Sequence, residues 1–195
     1  MALDEEKQRP GEGLRNSEMR KVRGQLSSKS GVVVAAAENI DSLTSRGYGT
    51  LENKELTLSH HEALFLQSKG MLDVFKGKTK KAVDFQELLH LFGLVDKNVW
   101  MKYLIYRDLR SRGYVVREGF GLEIDFRVYE RGEYGKATAP YLVLGVQEGR
   151  PVEAKELANV LKHAQGLKKT LVLAVVNRRG EIVYYTLSTL AMKEL

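Results

Sequence analysis

The chain contains no cysteine, which excludes disulfides and thiolate metal sites and is compatible with a cytoplasmic protein. It also lacks any apolar run near the roughly 18 residues needed to cross a bilayer, so no membrane partner is expected. Its four histidines, His60, His61, His90 and His163, show neither H-x3-H nor HExxH spacing, and no metal centre or other cofactor is expected from them. The opening MALDEEKQRPGEG is charged and has no apolar centre of the kind a secretory signal carries. What remains is a chain of 195 residues, 43% hydrophobic, long enough for one or two small domains with cores of their own. A formal charge of +6 and a pI near 9.4 favour an anionic partner such as nucleic acid over a merely basic surface.

Residues 1–28 mix charge, Gly and Ser without a sustained period and read as a mobile or loosely attached arm. Order is expected to begin at GVVVAAA (Gly31 to Ala37), a short apolar strand, followed by short strand candidates separated by the turn residues Gly47, Gly49 and Asn53. Ser59-His60-His61-Glu62 has the S-x-x-E form of a capping box, and Ala63, Leu64, Leu66 and Met71 supply a helix behind it, with Gly70 as its end. MLDVF reads as another strand, and Asp84-Phe85-Gln86-Glu87 opens a second amphipathic helix with Leu88, Leu89, Leu91 and Phe92 on its apolar side. Near residue 95 the character changes. DKNVWMKYLIYRDLRSRG carries Val99, Tyr103, Tyr106 and Leu109 at helical spacing, with Gly113 as the stop. A run of strands, a helix from about Glu153 to Leu167 and two final strands complete the chain. The expected fold is α+β: a small N-terminal αβ domain over 29–95, then a C-terminal mixed αβ domain over 96–195 with a central sheet flanked by helices. No internal repeat or low-complexity segment interrupts it.

The stretch YLIYRDLRSRGYVVREGFGLEIDFRVYERG (Tyr103 to Gly132), continued by APYLVLGV, LKKTLVLAVV and EIVYYTLS, resembles the catalytic domain of the archaeal tRNA-intron splicing endonucleases. SLTSRGYGTLENKELTLSHHEALFLQSKGMLDVF is similar to that family's smaller N-terminal domain, so the resemblance spans some 150 residues in order. It implies a nuclease-like fold and metal-independent cleavage of pre-tRNA at a bulge-helix-bulge, leaving a 2′,3′-cyclic phosphate and a 5′-hydroxyl. That chemistry asks for a base at the ribose 2′-OH, an acid at the departing 5′-oxygen and a cation at the phosphorane. The family supplies Tyr, His and Lys. Tyr129 in RVYERG matches the tyrosine and Lys169 in LKKTLVLAVV the lysine, while the acid's place reads Thr138-Ala139-Pro140-Tyr141, so Thr138 stands where the histidine belongs.

Two further departures lie close by. Gln165-Gly166-Leu167 replaces the family's His-Ser-Val before the lysine pair, and the hairpin Asn177 to Glu181, often acidic in relatives and inserted into a basic cleft of another subunit, carries Arg178 and Arg179. Lys162 falls where relatives hold an arginine thought to clamp a flipped base; it keeps the charge and loses the planar face. Without the resemblance, Tyr129 is a strand-edge tyrosine, Lys168-Lys169 a solvated flank, Thr138 a turn residue and His163 a partly exposed helix residue. The basic run Arg107, Arg110, Arg112 and Arg117 suits phosphates or a solvated helix face equally. Tyr184 and Tyr185 fit a subunit interface.

Three assignments follow. The chain is a structural subunit of a heteromeric splicing endonuclease, paired with an active paralogue as a dimer or tetramer. Alternatively it is the catalytic subunit with its acid naturally or deliberately substituted, or an RNA-binding module that kept the fold. The structural assignment is preferred, because departures occur at more than one point around the site. The apolar strands TLVLAVV and IVYYTLSTL further imply cover on both faces, some of it from another chain.

Overall fold

The computed structural model describes residues 21–27, 31–77, 81–121 and 123–189. Two sheets account for its strands. The first has six, in the order β3-β4-β2-β1-β5-β6. They are β1 (Val22–Ser27), β2 (Gly31–Val34), β3 (Thr50–Glu52), β4 (Glu55–Leu58), β5 (Leu72–Phe75) and β6 (Ala82–Val83). The second sheet has five, in the order β11-β10-β9-β8-β7. These are β7 (Val115–Glu118), β8 (Phe126–Tyr129), β9 (Tyr141–Gln147), β10 (Thr170–Val176) and β11 (Ile182–Leu187). The helices are α1 (Ala37–Thr44), α2 (His60–Ser68), α3 (Phe85–Gly93), α4 (Val99–Ser111) and α5 (Ala154–Gly166). This is the expected α+β architecture.

Two expectations need correction. Of the supposed arm, residues 1–20 and 28 lie outside the described residues, but Val22–Ser27 is an interior strand, antiparallel to β2 and parallel to β5. Only Val22, Gly24 and Leu26 point toward the core side, and Gly24 gives no apolar signal. It is small because a Cβ there would run into Val32 and Leu72. The second correction concerns GVVVAAA: the strand stops at Val34, and Ala37 already opens α1, which buries Ile40 and Leu43. Alanine is neutral between an apolar strand and a helix start, so the run concealed the change.

Local signals elsewhere produce the elements anticipated. The capping box forms, with Glu62 accepting from the Ser59 N–H at 3.0 Å, and Asp84 accepts from the Glu87 N–H at 2.8 Å to start α3. Between β3 and β4, Asn53 and Lys54 both have positive φ, the geometry of a two-residue hairpin turn of the mirror-image type.

Helix α2 buries six consecutive residues, His61 to Leu66, because the first sheet, α3 and α4 surround it; its sequence therefore shows no clean stripe. The change of character near residue 95 is not a break in packing. One apolar cluster runs from Val22 through Leu64 and Tyr106 to Val176, and α2 against α4 forms its centre. A second cluster (Ile124, Leu142, Leu144, Val160, Ala164, Leu171) lies where α5 covers β9 and β10. Helix α4 thus covers one face of the second sheet and α5 covers β9 and β10 on the other, while at β11 Val183 and Tyr185 remain 51% and 52% exposed.

Candidate active site

Strand direction decides where the chemistry-bearing residues meet. Strand β8 is antiparallel to β9, and β9 is parallel to β10, so the end of β8 and the starts of β9 and β10 share one edge of the sheet. Val128, Tyr141 and Thr170 form one row across the three strands. Tyr129 follows the first of these, Thr138 precedes the second by three residues, and Lys169 precedes the third by one. Alternation along strands then puts Tyr129 and Lys169 on the α5 face, two strand spacings apart, or roughly 10 Å at the backbone.

Lys169 is delivered by the end of α5. The Lys169 N–H donates to the Ala164 carbonyl and the Lys168 N–H to the Gln165 carbonyl, both at 2.9 Å, which is the Schellman arrangement with Lys168 at φ 55 in the position glycine usually takes. The Thr170 N–H donates to the Pro140 carbonyl at 3.0 Å and ties the start of β10 to the Thr138–Pro140 segment. The Lys169 Nζ donates to the Thr138 Oγ1 at 2.6 Å. Tyr129 is half-buried, its ring perpendicular to that of Tyr134 at 5.2 Å. Tyr134 was not singled out by sequence; the glycines after Tyr129, Gly132 and Gly135, both at positive φ, turn the chain back to make the pair.

The structure therefore brings Tyr129, Thr138 and Lys169 to one edge, with Thr138 and Lys169 in direct contact. At the start of β9, the Tyr141 OH donates to Glu130 Oε1 at 2.9 Å. The hydrogen bond and charge of Glu130 raise its pKa above the usual tyrosine range. Its pairing with Val128 places it on the α4 face, opposite Tyr129. His163 and Lys162 lie farther up α5, lining a shallow groove with Asn159, Gly166 and Leu167.

The basic run is largely committed inside the chain. Arg110 stacks 4.1 Å from the centroid of Tyr48 and donates to the Arg46 carbonyl. Arg112 pairs with Asp108 at 2.8 Å, and Arg117 reaches the Gly47 carbonyl at 3.0 Å and Glu62 at 3.5 Å. Arg107 is exposed beside Tyr103. Tyr184 also turns inward, its OH donating to Asp108 at 2.8 Å; burial and that carboxylate push its pKa far up. Tyr185 alone of the pair faces out.

Among the described residues, no group of three or more His, Asp or Glu side chains is placed to hold a metal ion, and no helix is long and apolar enough to cross a membrane.

The class defined by these two halves is given by comparison with known proteins. Residues 22–89 match the model for the tRNA intron endonuclease N-terminal domain, and residues 99–184 that for the tRNA intron endonuclease catalytic C-terminal domain. The chain belongs to the tRNA intron endonuclease family. Among its relatives, the tRNA-splicing endonuclease of Methanococcus vannielii is 35% identical over 161 residues, covering 83% of this chain and 90% of the relative. That of Pyrococcus furiosus is 36% identical over 141 residues, covering 72% and 80%. That of Methanothermobacter thermautotrophicus is 35% identical over 139 residues, covering 71% and 79%.

Proposed function

We propose that this chain is the structural and assembly subunit of a heteromeric tRNA-intron splicing endonuclease that cuts pre-tRNA at bulge-helix-bulge sites. Cleavage in such an enzyme has the ribose 2′-oxygen lose its proton to a base and attack phosphorus. The P–O5′ bond breaks, an acid protonates O5′, and 2′,3′-cyclic phosphate and 5′-hydroxyl ends result. Tyr129 stands at the base's position and Lys169 at that of the cation.

One observation carries the assignment: the acid's place holds the Thr138 hydroxyl, which accepts from the Lys169 ammonium at 2.6 Å. An alkyl hydroxyl yields no proton near neutrality. Using Lys169 as the acid instead would discharge the group needed to meet the phosphorane. Loss of general-acid catalysis lowers rates by about 10²–10⁴-fold. A paralogous subunit supplies the complete site, and two cuts in one folded RNA fit a two-fold dimer or tetramer. The half-exposed Val183 and Tyr185 on edge strand β11 support a partner chain there. A cytoplasmic setting accords with the absence of cysteine.

The retention of Tyr129 and Lys169 on one face favours a second reading, a catalytic subunit with its acid substituted. Purified alone, the chain is expected to cleave a bulge-helix-bulge RNA weakly or not at all; full-rate cutting resistant to EDTA overturns this. Thr138→His, assayed with and without the co-expressed paralogue, separates the readings. No recovery is expected of a structural subunit, whereas recovery abolished by Tyr129→Phe establishes a catalytic one.

A further inference from the structure

Two residues before Tyr129 on β8, Arg127 lies on the same face of the sheet, roughly 7 Å away along the strand. Its guanidinium is 5.0 Å from the ring centroid of Phe120, and its Nε donates to the Glu118 carbonyl at 3.0 Å. The other cation–aromatic pairs of the described residues use rings that are buried or half-buried; Phe120 is 50% exposed. Among the described residues the two terminal nitrogens of Arg127 donate to no protein group. By contrast, the other arginines of β7 and the end of α4 are occupied, Arg110, Arg112 and Arg117 by carbonyls or carboxylates of the chain.

An exposed apolar ring held by a fixed guanidinium plane is a stacking surface with charge beside it. Unpaired nucleobases are recognised in this way, by stacking on an aromatic or guanidinium plane, with the phosphate taken by free N–H donors. A paired duplex offers no such base face. We propose that Phe120 and Arg127 form a stacking site for an unpaired nucleobase of the RNA, next along the strand from the position of the cut. The assignment rests on the reading that pre-tRNA lies across the Tyr129 face. It gives a subunit without its own acid a direct part in holding the substrate.

The test uses the full chain assembled with its paralogue. The probes are a hairpin RNA with a bulge carrying 2-aminopurine, and a fully paired RNA of the same length, both read by fluorescence. Phe120→Ala is expected to weaken binding of the bulged RNA by roughly 5- to 150-fold and to leave the paired RNA unchanged. Phe120→Trp is expected to keep the affinity, and Arg127→Lys, which keeps charge but loses the plane, to weaken it. Bulged-RNA binding by Phe120→Ala equal to the unsubstituted protein, while Lys169→Ala weakens it, overturns the stacking site and leaves the functional assignment intact. Failure of the unsubstituted assembly to prefer bulged over paired RNA overturns both.

Discussion

At the scale of single residues, the site is defined by a contact that sequence could not supply. Alignment with a family pattern put Thr138 in the acid's place, but only the folded chain has the ammonium of Lys169 on that hydroxyl. The same holds for His61. In sequence it is one half of a histidine pair behind a serine; in the structure it is buried among Tyr106 and Phe126, with Ser59 Oγ 2.9 Å from its Nε2. Burial, helped by the nearby Lys102 charge, pushes its pKa down to about 3. A histidine that titrates near 6.5 when unfolded and near 3 when folded binds more protons in the unfolded state between those values. Its contribution to stability is therefore complete above pH 6.5 and is lost as pH falls toward 3, by up to about 1.4 kcal/mol per pH unit. Glu62, raised mainly by burial, acts in the opposite sense over its own window. His61→Gln isolates the histidine: urea denaturation at pH 7 and pH 4.5 is expected to show a shallower loss in the variant. Equal losses would mean that His61 takes up its proton without unfolding.

At the scale of elements, what could be read in advance was whatever local chemistry punctuates. The Ser59–Glu62 box, the Asp84 cap and the Gly113 stop each announce an end, because their side chains or lack of one satisfy orphan backbone groups. Strand β1 and helix α1 announce nothing. VRGQLS is a strand only because β2 and β5 flank it, and AAAENIDSLT is a helix only because Ile40 and Leu43 have a sheet to cover. The end of α5 lies between these cases: its turn is regular, yet Lys168 at φ 55 occupies a place where glycine is normal. Left-handed backbone costs an L-residue about 1 kcal/mol or more. Lys168→Gly is expected to stabilise the chain by about 0.5–1 kcal/mol after the added freedom of the unfolded chain is counted, a rise in Tm of about 2–4 °C at most. A fall in Tm would show that the Lys168 side chain holds the turn by a contact worth more than the strain.

At the scale of the whole molecule, the two matched family domains, residues 22–89 and 99–184, share one core. The carboxylate of Glu62, on α2, accepts from the Gly49 N–H at 3.1 Å and the Ser59 N–H at 3.0 Å, and Arg117 on β7 approaches it to 3.5 Å from the other half. The two side chains are only 5% and 15% exposed. Burial raises the Glu62 pKa, and the hydrogen bond from Ser59 and the charge of Arg117 oppose the rise. Because the apolar cluster is continuous through α2 and α4, both halves are expected to unfold in a single calorimetric transition. Arg117→Ala removes the cation and leaves a buried carboxylate with its two N–H donors. Breaking a buried pair from one side costs about 3–5 kcal/mol, and the two remaining donors place the expected loss near the lower end. Adding Glu62→Gln should recover part of that loss, since an amide needs no counter-charge. If Arg117→Ala instead splits the transition in two with little change in the first midpoint, the ion pair serves to join the halves rather than to neutralise Glu62, and the shared core alone does not make them one cooperative unit.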